Sequence, residues 1–454
     1  MMEGPTLTKG LQADLDGQPC PPQLLRWLAA LDDDLISLLE TIAKEGEGAW
    51  LVGGCVRDAW LGAPSTDIDV CTTCPPDRLL TLFGDRAIPT GIEFGTVTVK
   101  GQGKHYEVTT LRTESLYRDG RRPEHVEWGV SLREDLSRRD FTFNSMAVDV
   151  ARQEMYDPFD GVGDLAARRV RAVGDATLRC EEDALRILRA YRFMRRDEGA
   201  LWKMEPSLHD AIAKHRNRLT MVAIERRWME LRKILNATRP GEVLHRMQED
   251  GVLRFVFTHI PVFNPETFRL LDDPTLEHLT VDQRLAVLMS EHQTKDLLDE
   301  LRALRTSKEL QRATALFHEQ LGHLPTGRTA DMRVFQHVMG SAAEAHLAVH
   351  KALTSLNINL HTGSQPSVSD VERVVDLWSR IDRSGSTKEC LVDGHWIMAR
   401  TGDVEGIRLG RLKQWLHRIQ IEENLTTQQE MATALSKLPY EHGSHEAWPT
   451  PTFP

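Results

Sequence analysis

Long apolar runs are missing from this chain of 454 residues. No stretch approaches the roughly 20 apolar residues that a membrane span needs. The first residues, MMEGPTLTKGLQADLDG, lack the basic region and apolar core of a signal peptide. A cytoplasmic protein without a membrane partner is expected. Cysteine is scarce: Cys20, Cys55, Cys71, Cys74, Cys180 and Cys390 are scattered, which suits a reducing compartment. Cys71 and Cys74 form one C-x-x-C, yet no second Cys or His pair completes a zinc site, so both read as free thiols. A positive net charge is also missing. The formal charge of −11 is unexpected for a nucleic-acid binder. It is unevenly spread: residues 101–240 hold about 27 basic and about 23 acidic side chains, so the acidic excess lies elsewhere. Composition alone points to no RNA. The length suits about three domains.

What is present is concentrated in WLVGGCVRDAWLGAPSTDIDV, from Trp50 to Val70. Apolar residues ending at Val52 read as a buried strand. Gly53 and Gly54 follow, and Val56-Arg57-Asp58 leads into the helical turn Ala59-Trp60-Leu61, which Pro64 and Ser65 break. Adjacent glycines let the backbone approach a ligand and turn N–H groups toward it. A helix starting there adds its positive end, which favours phosphate. Arg57 can reach the same anion as a fork of donors. The chain returns as Asp67-Ile68-Asp69-Val70. Residues two apart in a strand face one side, so Asp67 and Asp69 are expected to project together. Two carboxylates beside a phosphate cradle suit Mg²⁺.

These residues resemble the nucleotidyltransferase signature of polymerase-β-like enzymes. The block is most similar to the class II tRNA nucleotidyltransferases (CCA-adding enzymes) and the related bacterial poly(A) polymerases. Their G-G-x-V-R-D and D-x-D are matched by Gly53, Gly54, Val56, Arg57, Asp58, Asp67 and Asp69.

Around this block the chain reads as follows. Residues 1–20 are polar and expected to be loose. From Leu24 to Ile42 apolar residues recur at helical spacing, giving one helix that Gly46 and Gly48 end. Phe94–Val99 and His105–Leu111 alternate like the two strands of a hairpin, and Glu107 is a candidate third carboxylate. Residues 112–137 carry charges, Gly and Pro with little period and read as a mobile loop. In the resembled family a flexible loop here helps switch nucleotide choice. Arg138-Arg139-Asp140-Phe141-Thr142-Phe143-Asn144 resembles the family's R-R-D-F-T-x-N. Arg139 has the groups to hold a triphosphate, and Asp140 and Asn144 to hydrogen-bond ribose hydroxyls. After a last strand-like piece at Val170–Gly174 the chain reads as helical throughout. Glu182, Asp183, Arg186, Arg189 and Arg192 match the family's E-D-x-x-R-x-x-R-x-x-R helix. Asp183 and Arg186, three apart, would be neighbours on one face. Ile224–Leu235 is a further basic amphipathic helix. Histidines between His318 and His361 read as scattered surface residues. The end, from Glu441, reads as disordered.

The resemblance, covering roughly residues 46–235, implies an α+β chain: a polymerase-β-like head with a small β-sheet, then an all-α neck, body and tail. The expected parts are an N-terminal extension at 1–45, the catalytic head at 46–175, a helical neck at 176–240, and an RNA-binding body and tail at 241–454. It implies Mg²⁺-dependent addition of C, C and A from CTP and ATP to the 3′ end of tRNA. Asp67 and Asp69 would hold metal, with Glu107 as third carboxylate. Gly53, Gly54, Arg57 and Arg139 would orient the triphosphate, and Asp183 and Arg186 would select the base. A poly(A) polymerase and an A-adding-only enzyme compete with this reading, and a non-catalytic RNA-binding relative stands further off. The sequence leaves the oligomeric state open.

Overall fold

The computed structural model describes residues 7–63, 65, 67–117, 123–129, 131–195, 199–382, 389–442 and 444–453. The chain divides into two compact units, Met1–Glu230 and Leu231–Pro454.

The first unit is built on an eight-stranded mixed sheet. Its elements are β1 (Gln18–Pro19), α1 (Pro22–Leu28), α2 (Asp33–Lys44), β2 (Ala49–Val52), α3 (Gly54–Trp60), β3 (Asp69–Thr72), α4 (Pro76–Phe83), β4 (Ala87–Gly91), β5 (Thr96–Lys100) and β6 (His105–Thr110). After them come β7 (Arg112–Tyr117), β8 (Pro123–Trp128), α5 (Leu132–Ser137), β9 (Ala147–Asp149), β10 (Glu154–Tyr156), α6 (Gly161–Ala166) and β11 (Arg169–Val170). The strand order is β1-β10-β9-β2-β3-β6-β5-β4. β3 and β6 run parallel, while β2 is antiparallel to both β3 and β9. Trp50, Leu51 and Val52 are all buried, the mark of a strand covered on both faces. Trp50, Val52, Cys71, Leu136 and Tyr156 share one core cluster.

Several expectations change here. The single helix of residues 24–42 is two, α1 and α2, because the chain turns between them. At that break Asp32 binds Lys104 (2.6 Å) and Asp34 accepts the Gln102 N–H, so both carboxylates hold the β5–β6 turn. Residues 7–20 are pinned rather than loose: Asp14 accepts from the Ser131 hydroxyl and the Arg133 N–H, and Arg152 donates to the Gly10 carbonyl. The stretch 112–137 is not an aperiodic loop. β7 and β8 pair antiparallel from Arg112↔Trp128 to Tyr117↔Pro123, and α5 follows, capped by Ser131. The segment Asp119–Arg122 lies outside the described residues.

The motif read as one helix through Asp183 is α7 (Ala176–Glu182) and α8 (Leu185–Met194). Between them Asp183 is extended, at φ −147° and ψ 102°. After α8 a two-residue strand, β12 (Lys203–Met204), pairs parallel with β11, so the chain is not wholly helical beyond Gly174. α9 (Pro206–His215) and α10 (Ile224–Leu235) follow.

The second unit is helical: α11 (Gly241–Glu249), α12 (Pro265–Leu271), α13 (Val281–Leu288), α14 (Thr294–Ala303), α15 (Lys308–Glu319), α16 (Thr329–Met339), α17 (Ala343–Leu353), α18 (Val368–Arg380), α19 (Gly394–Thr401), α20 (Ile407–Glu423) and α21 (Gln428–Lys437). Among the described residues no helix is long and apolar enough to cross a membrane. The histidines between His318 and His361 are not simply surface residues. His318, His346 and His350 are buried, and His318 stacks on His361 with ring centroids 3.9 Å apart. Nor is the segment after Glu441 disordered. Arg411 donates to the carbonyls of His445, Glu446 and Trp448, Arg418 donates to those of Thr450 and Thr452, and Trp448 packs on Trp415. Two arginines of α20 thus satisfy backbone acceptors that have no ladder partner.

Candidate active site

The carboxylates are set by strand register. Asp69 opens β3 opposite Glu107 of β6, and paired residues on neighbouring strands face the same side. Asp67 lies before β3 begins, so strand alternation does not set its direction; its N–H takes the Ser65 hydroxyl (3.0 Å). Asp69 remains open to solvent at its tip. Burial of its surroundings is nevertheless the largest influence on its pKa and raises it; Arg139 pulls it down, while Glu107 and Asp67 push it up further. All three carboxylates therefore share one electrostatic site. A pocket of about 270 Å³ opens there, walled by Asp69, Glu107, Phe94, Arg112, Arg138 and Arg139. A larger cleft of about 780 Å³ elsewhere in this unit carries Asp14 and Asp157, both already accepting backbone N–H groups.

Gly53 joins β2 to α3 at φ +79°, and its N–H donates to the Met146 carbonyl (3.0 Å). A Cβ there would lie 2.7 Å from Nη1 of Arg139. Glycine is required twice over, by the left-handed backbone and by the close guanidinium. Gly54 begins α3. Arg139 and Arg138 are held from below by the buried Asp135, at 3.3 Å from Nη2 of Arg139 and 2.9 Å from Nε of Arg138. Burial alone would raise the Asp135 pKa; the two arginines overcome it and leave the group ionised below its ordinary range.

A second network lies behind this pocket. Arg57 is buried, forks onto Asp58 (2.9 and 3.0 Å) and donates to Oδ1 of Asn144. Asn144 donates to Asp140 (2.9 Å), which also accepts from the Phe141 N–H (2.8 Å) and from Nε of Arg189 (2.7 Å). Burial raises the Asp140 carboxyl, but Arg189, Asn144 and Arg186 outweigh it and hold it at about 2. The expectation that Asp140 and Asn144 face ribose hydroxyls meets a carboxylate already occupied by protein donors. In this structure the pair holds Arg57 and Arg189 instead.

Asp183 and Arg186 are not paired side chain to side chain. Asp183 binds Arg226 (2.7 Å), and Arg186 binds Glu182 (2.6 Å) and the carbonyls of Arg179 and Arg138. The break in the helix at Asp183 is the cause. Arg192 pairs with Glu230 (3.2 Å). Sequence reading missed Asp135, Arg112, Arg226 and Glu230. The spacing of Asp135 three and four residues before Arg138 and Arg139 is the signal that could have found the first.

The donor set of Asp67, Asp69 and Glu107 is all oxygen, which suits a hard cation, and the crowding that raises Asp69 is what a cation relieves. Among the described residues no three His, Cys, Asp or Glu side chains converge as a ready metal group. The described cysteines are free.

A mixed sheet with glycine turn, paired carboxylates and arginines defines a polymerase-β-like nucleotidyltransferase head, followed by a largely helical remainder. Residues 49–171 match the Poly A polymerase head domain, and residues 203–266 match the family described as the probable RNA and SrmB-binding site of polymerase A. The CCA-adding enzyme of Lactococcus lactis subsp. cremoris is 37% identical over 288 residues, 61% of this chain and 68% of that protein. The CCA-adding enzyme of Latilactobacillus sakei is 42% identical over 223 residues, 49% of this chain and 55% of that protein. The crystal structure of the Bacillus stearothermophilus CCA-adding enzyme in complex with CTP superposes with a TM-score of 0.70 at 25% identity, covering 92% of this chain and 98% of that one. The chain belongs to the CCA-adding enzyme family. The matched region spans about half the length of some curated relatives, 55% and 53% in two of them.

Proposed function

We propose that this protein adds C, C and A from CTP and ATP to the 3′ end of tRNA, without a nucleic-acid template and in the cytoplasm. The observation that carries this reading is the register of Asp69 and Glu107 on parallel β3 and β6, with Arg139 against Gly53 beside them. The RNA 3′-hydroxyl oxygen attacks the α-phosphorus of the nucleotide, the bond to the β-phosphate oxygen breaks, and pyrophosphate leaves. Asp67 and Asp69 would hold Mg²⁺, with Glu107 as a third carboxylate beside them; the ion would lower the pKa of the attacking hydroxyl and neutralise the triphosphate. Gly53 and Gly54 let the triphosphate approach the backbone. Arg139, anchored by Asp135 and lining the pocket, would offer donors to it; Arg57, whose fork is held by Asp58 and Asn144, would act on it only by its charge.

Asp183 and Arg186 choose the base. A carboxylate only accepts hydrogen bonds and a guanidinium only donates. Cytosine and adenine each offer an amino group beside a ring acceptor; uracil and guanine offer a carbonyl beside a ring N–H. The wrong bases leave like facing like, at about 1–3 kcal/mol per group. The name carried by the curated relatives favours CCA addition over poly(A) synthesis. The test is stepwise: tRNA ending before, after one, or after two C residues, incubated with each nucleotide singly.

A further inference from the structure

Base choice in this reading falls on Asp183, whose backbone is extended between α7 and α8, so no regular helix fixes its side chain. Two partners hold the carboxylate. Its Oδ1 accepts the Leu185 N–H (3.0 Å), and Arg226 of α10 forks onto both oxygens at 3.3 and 2.7 Å. Four residues further along α10, hence on the same face, Glu230 is buried and meets Arg192 at 3.2 Å and Arg189 at 4.0 Å. α10 therefore sets a cation against the anion of the selecting segment and an anion against its cations.

We propose that Arg226 and Glu230 are positioning residues for nucleotide selection: Arg226 aims the Asp183 carboxylate, and Glu230 keeps Arg189 and Arg192 from taking its place. The proposal rests on the reading of Asp183 as base selector. A carboxylate has about four acceptor sites. The Leu185 N–H and the two arms of Arg226 occupy three, which leaves one direction for a base amino group. Without the fork the side chain turns about χ1 and χ2, and a carboxylate that can turn away from a mismatched carbonyl no longer rejects it. A lysine keeps the charge but not the planar fork, so it restores only part of the constraint.

The experiment measures kcat and KM for CTP, ATP, UTP and GTP on tRNA ending before C-C-A. It compares the full chain with Arg226→Met, Arg226→Lys, Glu230→Gln, Asp183→Ala and the double variant Arg226→Met/Asp183→Ala, with a thermal midpoint for each. Arg226→Met is expected to reduce the preference for CTP over UTP by about tenfold or more. Arg226→Lys should lose less, Glu230→Gln should relax the preference in the same direction, and Arg226→Met should add nothing to Asp183→Ala. If Arg226→Met fails to fold, Arg226→Lys and Glu230→Gln carry the test. Relaxed selectivity in Asp183→Ala with unchanged selectivity in the α10 variants overturns the proposal. Unchanged selectivity in Asp183→Ala itself overturns the reading beneath it.

Discussion

Gly53 and Asp69 show how little of this site is interchangeable. At Gly53 both the sign of φ and the space beside Arg139 forbid a side chain. Asp69 combines opposed influences: burial of its surroundings disfavours its charge, and Arg139 opposes that without outweighing it. A cation bound beside it would offset the repulsion from Glu107 and Asp67. Replacing Asp69 by Ala should therefore reduce nucleotide addition by about 10³-fold or more. Binding of tRNA to the same variant, measured by filter retention, should be unchanged. Turnover near the parent value would show that the carboxylate has no part in the chemistry.

At the scale of elements, the strand–glycine–helix–strand block was legible because each piece has a local cause. Trp50–Val52 is uniformly apolar, Gly53-Gly54 is a turn no other pair makes so easily, and the β5–β6 hairpin alternates in period two. The break at Asp183 was not legible, because Cys180, Ala184, Ile187 and Tyr191 keep a helical spacing across it. The hint was Asp before an apolar run: its carboxylate accepts the Leu185 N–H in the manner of a helix cap. The β7–β8 hairpin escaped because Arg112-Thr113-Glu114-Ser115 is polar throughout, which leaves no apolar alternation to read. The C-terminal segment is ordered by arginines of α20 more than thirty residues earlier in sequence, which no local pattern announces. The hairpin has a functional corollary. Its root, Arg112, walls the pocket, and Trp128 lies against Gly95 at the pocket's edge. Deleting Asp119–Arg122 should leave products that stop at C-C, read on a sequencing gel. Equal loss of C and A addition would assign the hairpin to folding rather than to switching.

For the whole molecule, acid sensitivity is expected from buried neutral histidines in the second unit. Burial is the main reason that His318 and His350 are pulled down to about 4 from an ordinary 6.5, and it pulls His346 well below that ordinary value too. Nε2 of His318 donates to the Met289 carbonyl (3.1 Å) and Nδ1 lies 3.1 Å from the Thr294 hydroxyl, an arrangement that satisfies both nitrogens of a neutral ring. The sign follows from linkage: the unfolded chain binds these protons first, so the contribution is complete above pH 6.5 and is lost as pH falls toward 4. His318 and His350 are each worth on the order of 3 kcal/mol over that window. Urea unfolding followed at pH 7.5, 5.5 and 4.5 should show a midpoint that falls steadily; a flat midpoint would mean that the rings are solvated.

The acidic excess lies outside residues 101–240, and Arg112, Arg138 and Arg139 wall the pocket, so an acidic protein still presents arginines where a triphosphate and an RNA end would meet. The measurement that bears most directly on this account is single-nucleotide addition to tRNA ending before C-C, after one C, and after C-C. The account predicts that CTP alone extends the first two and that ATP alone extends the third by one residue, with UTP and GTP inert throughout. Extension of the C-C end by many A residues, or indifference to how the tRNA ends, would contradict it.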